Sequence, residues 1–325
     1  MTYQSVNPFN GEKSETFAEL SDATLEERIG RADHCFRADW RRRTVHQRAA
    51  IVGKVAALMR ERAEELARLI TVEMGKGIKE SRWEVGLSAD IFDYYAQQGP
   101  AFLAPRKLDV ESGSALLESE PLGVLFGVEP WNFPYYQLAR FAAPNLVAGN
   151  VLLVKHSSIV PRCALAFEKV LRDGGVPEGS YGNLFVSKTQ IETIIADPRI
   201  RGVALTGSEE AGQSVAKLAG ASLKKTTMEL GGSDAFIVLD DADIALAVKQ
   251  AVAGRFNNAG QSCVAAKRFI VLEAVAKRFL DGFTKATEAL VVGDPLDEST
   301  TLAPRSSPSS HSSRGCSPGS SSARA

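Results

Sequence analysis

Residues 151–174 read VLLVKHSSIVPRCALAFEKVLRDG. The run Val151–Val154 is short, apolar and rich in β-branched residues, which suits a buried strand of a parallel sheet. A helix follows over Pro161–Gly174. The same unit recurs on both sides. Upstream, Gly123–Val128 reads as a strand and Gln137–Gly149 as a helix. Downstream come a strand at Leu184–Val186, a short helix near Ile191–Ala196, a strand at Gly202–Leu205 and a helix at Glu209–Gly220. This alternation predicts an α/β fold with right-handed βαβ units and a doubly wound sheet.

A second alternating block starts near Lys224. Thr226–Leu230 and Ala235–Val238 read as strands. Asp243–Asn257 reads as a helix capped by Asp241 or Asp243. A strand at Lys267–Leu272 and a helix at Val275–Leu290 follow. The first hundred residues read as helical: Asp22 caps a helix starting near Ala23, Thr44–Val72 shows helical spacing, and a third helix runs over Ile78–Gln98. Arg106–Val110 and Leu116–Glu120 read as two strands about the turn 111–114. From Pro304 to Ala325, ten of 22 residues are serine, three are arginine and none is acidic. That composition predicts disorder. The abrupt change, after only two or three strands of the second block, leads us to expect a chain shortened at its C-terminal end.

The 325 residues are 44% hydrophobic and 24% charged, with a formal net charge of −1. That mix is ordinary for a globular protein and gives no electrostatic case for nucleic acid or an acidic membrane surface. No apolar run reaches the roughly 18 residues that a membrane helix needs. The start lacks the basic and apolar regions of a signal peptide. Cys35, Cys163, Cys263 and Cys316 are scattered, which argues against a metal site or a disulfide framework and for a reduced, cytoplasmic protein.

Five stretches carry candidate chemistry. Cys263 sits among small residues in NAGQSCVAA, where a helical turn beginning at the thiol would favour thiolate. Glu229 ends an apolar strand before two glycines, at the strand edge where α/β sheets bind ligands, and partial burial would suit it to general-base work. Gly207 and Ser208, in the turn TGSEEAG that ends at Gly212, open a helix whose amides suit a phosphate. The spacing is neither a P-loop nor GxGxxG. Lys155 ends its strand where it can meet a ribose or phosphate, and Ser158 lies three residues on. In EPWNFP (129–134), two prolines fix a loop that presents the Asn132 amide as a rigid donor. A cysteine hydrolase would need a histidine partner, and none of His34, His46, His156 and His311 lies in a suitable motif.

Taken in order, PWNFP (130–134), VLLVK (151–155), LTGSEEAG (205–212), MELGGSDAFIV (228–238) and NNAGQSCVAAKRFIV (257–271) resemble the aldehyde dehydrogenase superfamily. The resemblance spans roughly residues 5 to 300. It implies that Cys263 is the nucleophile, forming a thiohemiacetal and then a thioester. It implies that Glu229 activates water and that Asn132, with the Cys263 amide, binds the oxyanion. Trp131, Lys155, Ser158, Gly207, Ser208, Gly212, Leu230 and Gly231 match cofactor-site positions. The implied organisation is a cofactor domain (1–105 and 121–230), an oligomerisation arm (106–120), an incomplete catalytic domain (231–303) and a tail (304–325). Relatives of full length form homo-oligomers.

Ser158 stands where many NAD-preferring members carry a glutamate, so NADP is expected to be accepted alongside NAD. The segment AGQSCVAAKRF is similar to bacterial succinate-semialdehyde dehydrogenases. Arg140 matches an arginine that holds the substrate carboxylate in that group. A second arginine usual there is replaced by Asn257, with Arg255 nearby, and Phe141 replaces a common lysine. The reading is therefore NAD(P)-dependent oxidation of an aldehyde, succinic semialdehyde first. The alternative is a truncated, inactive chain that keeps nucleotide binding. No metal is expected.

Overall fold

The computed structural model describes residues 3–304; Cys316, His311 and all but the first residue of the serine-rich tail fall outside them. The chain opens with two short antiparallel strands, β1 (Tyr3–Val6) and β2 (Lys13–Phe17). Four helices follow: α1 (Asp22–Ala38), α2 (Val45–Glu61), α3 (Ala63–Met74) and α4 (Ile78–Phe102). The hairpin β3 (Arg106–Leu108) and β4 (Ala115–Leu117) comes next.

The alternating part then runs β5 (Val124–Glu129), α5 (Pro134–Ala148), β6 (Val151–His156), α6 (Pro161–Asp173), β7 (Tyr181–Asn183), α7 (Lys188–Ala196), β8 (Ile200–Thr206), α8 (Glu209–Ala221) and β9 (Lys225–Glu229). These strands form one parallel sheet in the order β7-β6-β5-β8-β9. The order reverses between β5 and β8, and ligands enter an open α/β sheet at such a switch point, beyond the carboxyl ends of the strands. The register sets Glu129 beside His156 and Thr206 beside Glu229, so the chemistry-bearing ends share one level. A last unit contains β10 (Asp234–Val238), α9 (Ile244–Phe256), β11 (Ala266–Val271) and α10 (Glu273–Glu288), with β10 and β11 paired in parallel.

Two separate cores result. The large one joins the five-stranded sheet to the helices around Trp40, Phe92, Tyr135 and Phe167. The small one holds Val238, Ile244, Ala251, Val275 and Phe279. It is flanked by Phe236, Phe269 and Phe283, with ring centroids 5.2–6.4 Å apart. Helix α5 can lie close on β5 because Gly127 has no side chain: a Cβ there would sit 2.6 Å from the Phe141 ring.

Several local expectations are corrected. Ser21, not Asp22, caps α1, accepting from the Thr24 amide; Asp22 accepts instead from the Gln190 side chain at 2.8 Å. The helical stretch 44–72 is two helices broken at Arg62: both pack on α4 and α6, while α2 also reaches α5 and α3 also reaches β1. The strand expected at Leu184–Val186 is Tyr181–Asn183. The three apolar residues after it are buried outside the strand: the Leu184 amide donates to the Val154 carbonyl at 2.7 Å, Phe185 packs on the Tyr3 and Phe17 rings, and Val186 bonds both ways to the Tyr3 hydroxyl, at 2.9 and 3.0 Å. Residues 3–17, in a region whose sequence reads as helical, form the β1–β2 pair. No helix begins at Cys263, which lies in a turn leading into β11.

Candidate active site

The loop after β5 carries Trp131 and Asn132, and the turn after β8 carries Gly207 and Ser208. Glu229 ends β9, and Leu230 and Gly231 follow it. These residues line one cavity of about 340 Å³ together with Gln137, Arg140, Gly260, Gln261, Ser262 and Cys263. The fold thus gathers residues more than 130 positions apart in sequence. The Asn132 Nδ2 donates to the Gln261 carbonyl at 2.9 Å. A carbonyl only accepts, so this contact fixes which end of the amide is the donor. One hydrogen of the NH₂ is used in this contact.

The loop before Cys263 is held in an unusual backbone. Asn258, Ala259 and Gly260 have φ of 51°, 53° and 77°. Left-handed non-glycine residues persist only where their surroundings hold them. Here Asn258 Nδ2 donates to the Asn132 carbonyl at 2.8 Å, and the Gln261 amide returns to the Asn258 carbonyl at 3.0 Å.

Glu229 is more open than the sequence suggests: its side chain is 56% exposed and lies 3.5 Å from Arg140. Arg140 also stands 5.4 Å from the Tyr136 ring. Gln137, Arg140, Thr206 and Glu229 form a wall shared with a second cavity of about 270 Å³, whose lining includes Glu129. Burial pushes the Glu129 carboxyl up to about 8, and its Oε2 meets no partner among the described residues.

Lys155 and Ser208 line a third cleft, of about 420 Å³, with Lys188 and the apolar face Ala211, Val215 and Leu218. Ser208 caps α8, accepting from the Ala211 amide at 3.2 Å. Burial, with Lys188 adding to it, pulls the Lys155 ammonium down to about 8. No carboxylate lies within ion-pair distance of it among the described residues; its Nζ stands 5.7 Å from the Tyr3 ring.

Two expected site residues lie elsewhere. Ser158 lines none of these cavities, and its carbonyl accepts from the Gln4 amide at 3.1 Å. Gly212 packs under Leu230, where a Cβ would meet the leucine at 2.6 Å. Cys35 and Cys163 are buried thiols pushed up by that burial. The sequence reading passed over Lys76, Glu80 and Glu84, charged residues that sit beneath the site. Lys76 and Glu84 are fully buried and paired with each other. Their spacing resembles any solvated helix face, and only the partners reveal them. Among the described residues, no helix is long and apolar enough to cross a membrane.

A profile described as the aldehyde dehydrogenase family matches residues 1–313. The chain is 51% identical over 305 residues to a protein of Deinococcus radiodurans named succinate-semialdehyde dehydrogenase (NADP(+)), covering 94% of this chain and 64% of that one. It is 44% identical over 300 residues to the succinate semialdehyde dehydrogenase (NAD(P)+) Sad of Escherichia coli, covering 92% and 65%. A crystal structure of succinic semialdehyde dehydrogenase from Streptococcus pyogenes in complex with NADP+ superposes with a TM-score of 0.92 at 44% identity, over 94% of this chain and 67% of that one. The chain therefore spans about 64–65% of the length of these curated relatives.

Proposed function

The chain belongs to the aldehyde dehydrogenase family, and on that premise we propose that it oxidises an aldehyde with NADP or NAD, succinic semialdehyde to succinate foremost. One observation carries this reading: the Asn132 amide is tied to the Cys263 loop at 2.9 Å, in a cleft that also holds Glu229.

The Cys263 thiolate attacks the aldehyde carbon, and the carbonyl oxygen becomes an oxyanion. The second hydrogen of Asn132 Nδ2 and the Cys263 backbone N–H stabilise it, which makes the thiohemiacetal accessible. A nicotinamide dinucleotide held beside Lys155 and Ser208 would supply the hydride acceptor. The thioester left on Cys263 is then attacked by water, whose proton Glu229 takes. The exposed position of Glu229 gives it access to that water and to solvent for releasing the proton. Arg140, already facing one carboxylate, offers its guanidinium to the distal carboxylate of a semialdehyde.

The cofactor fits the cleft beside Lys155. A half-buried ammonium without a carboxylate partner is costly, and an anion would relieve it. Lys155 suits a 2′-phosphate, the α8 amino end with Ser208 suits a pyrophosphate, and the Val215–Leu218 face suits a base or ribose. That no carboxylate among the described residues lies within ion-pair distance of Lys155 supports acceptance of NADP.

A second reading, nucleotide binding without turnover, is favoured by the open surroundings of the thiol. Val264 is 72% exposed beside it, and Ile237 and Ile270 of the two-stranded sheet are 62% and 49% exposed. Assaying NADPH and NADH formation from succinic semialdehyde, with Cys263→Ala as control, separates the two. Thiol-dependent turnover supports oxidation. NADP binding by calorimetry without turnover supports the second reading, and the absence of both turnover and binding overturns both readings.

A further inference from the structure

Beneath the site, α4 and Lys76, two residues before it, reach both halves of the proposed oxyanion hole. Lys76 Nζ donates to the Asn132 carbonyl at 2.9 Å and to Glu84 Oε2, and lies 3.6 Å from the Phe133 ring centroid. Its three donor directions are thereby used. Glu84 Oε1 accepts the amides of Tyr135 and Tyr136 at 2.9 and 3.2 Å, the first turn of α5. One helical turn earlier, Glu80 Oε1 accepts the Asn258 amide at 2.8 Å. Asn258 in turn donates to the Asn132 carbonyl and, at 3.3 Å, to the Gln261 carbonyl.

A buried ion pair is weak evidence for stability, since its desolvation offsets most of its attraction, but it defines geometry sharply. Here the pair grips the peptide of the oxyanion donor, and Glu80 grips the loop of the nucleophile. Resting on the function proposed above, we infer that Lys76, with Glu84 and Glu80, is a positioning residue that fixes the Asn132 amide relative to Cys263. It touches neither substrate nor cofactor and acts through the Asn132 carbonyl.

The test uses the full chain and two thiol reagents, with Cys263→Ala as the blank. p-Nitrophenyl acetate acylates a thiolate through a tetrahedral oxyanion and releases p-nitrophenolate. Iodoacetamide alkylates it by displacing iodide, with no oxyanion. Rates are compared on the pH plateau of each variant. Asn132→Ala sets the scale: acylation falls about a hundredfold or more, while alkylation stays within about twofold by the same argument. Lys76→Met alone strands a buried carboxylate and endangers the fold. The double variant Lys76→Met/Glu84→Gln removes both charges and keeps an acceptor for the α5 amides.

We expect the double variant to lower acylation by about tenfold to a hundredfold, as for an angstrom-scale misplacement, with alkylation unchanged. Lys76→Arg, which keeps the cation and its donors, should recover part of the loss. An unchanged ratio of the two rates in the double variant, with Asn132→Ala still lowering it, overturns the inference and leaves the function standing. Equal falls in both rates also overturn it, because they report general loosening. If Asn132→Ala leaves the ratio unchanged, the role of Asn132 itself fails and the inference goes with it.

Discussion

The Asn132 side-chain nitrogen lies 2.9 Å from the carbonyl oxygen of Gln261, two residues before Cys263. This bond ties the loop after β5 to the segment before β11 and holds a donor beside the thiol. Asn132→Asp replaces the donor with an anion that faces both the Gln261 carbonyl and the developing oxyanion. We expect kcat for aldehyde oxidation to fall at least about a hundredfold, and more than in Asn132→Ala. A smaller fall in the aspartate variant would show that the amide does not serve the oxyanion.

Glu229→Gln separates the two halves of the reaction. The thioester still forms, but no carboxylate takes the proton from the attacking water. Stopped-flow should record one NADPH per Cys263 followed by a steady state slower by about two to four orders of magnitude. Loss of the burst together with the steady state would assign Glu229 to acylation instead.

Lys155 is charged below about 8 and neutral above it. A 2′-phosphate is dianionic on the alkaline side of roughly pH 6, so its attraction to this lysine fades as the pH rises from 7 to 9. NADP binding should weaken over that range while NAD binding does not. Lys155→Met should weaken NADP about tenfold, the scale of one charge-assisted contact, and flatten the profile. Equal pH profiles for both cofactors, measured by calorimetry, would remove Lys155 from the phosphate site.

Glu129 is held up at about 8 against an ordinary 4.5. The folded protein keeps this proton where the unfolded chain has lost it. The stability that neutral Glu129 allows is therefore complete below about 4.5 and is lost as the pH climbs toward 8. Glu129→Gln never ionises, so its advantage over the wild type should grow across that window to roughly 2–4 kcal/mol. Urea unfolding at pH 5 and at pH 8 measures it. A constant difference between the two pH values would mean that Glu129 titrates normally.

The parallel sheet was legible because its strands are buried on both faces and read as apolar runs separated by helices. Asn132, Gly207, Ser208, Glu229 and Cys263 were legible as strand ends and turns, and Trp131, Arg140, Leu230 and Gly231 through the family resemblance; the fold brings them to one cavity. The β1–β2 pair was not legible: it is short and its second strand is exposed, so contacts distant in sequence explain it, among them Tyr3 with Val186 and Gln4 with Ser158. Lys76, Glu80 and Glu84 were hidden for the opposite reason. A charged residue on a helix reads as solvated until its neighbours are known. The break at Arg62 likewise follows from what α2 and α3 each pack against, and no proline or glycine marks it.

The division into two cores has a spectroscopic consequence. The three tryptophans are Trp40, Trp83 and Trp131, and no tyrosine occurs after Tyr181. The small core is lined by phenylalanine alone among aromatic residues. Intrinsic fluorescence and absorbance at 280 nm are therefore nearly silent about the melting of β10, β11, α9 and α10, and a single smooth emission curve describes only the five-stranded half. Trp131 is the exception in usefulness: its indole lines the cleft of Cys263, so quenching of its emission offers a label-free signal for anything that enters there.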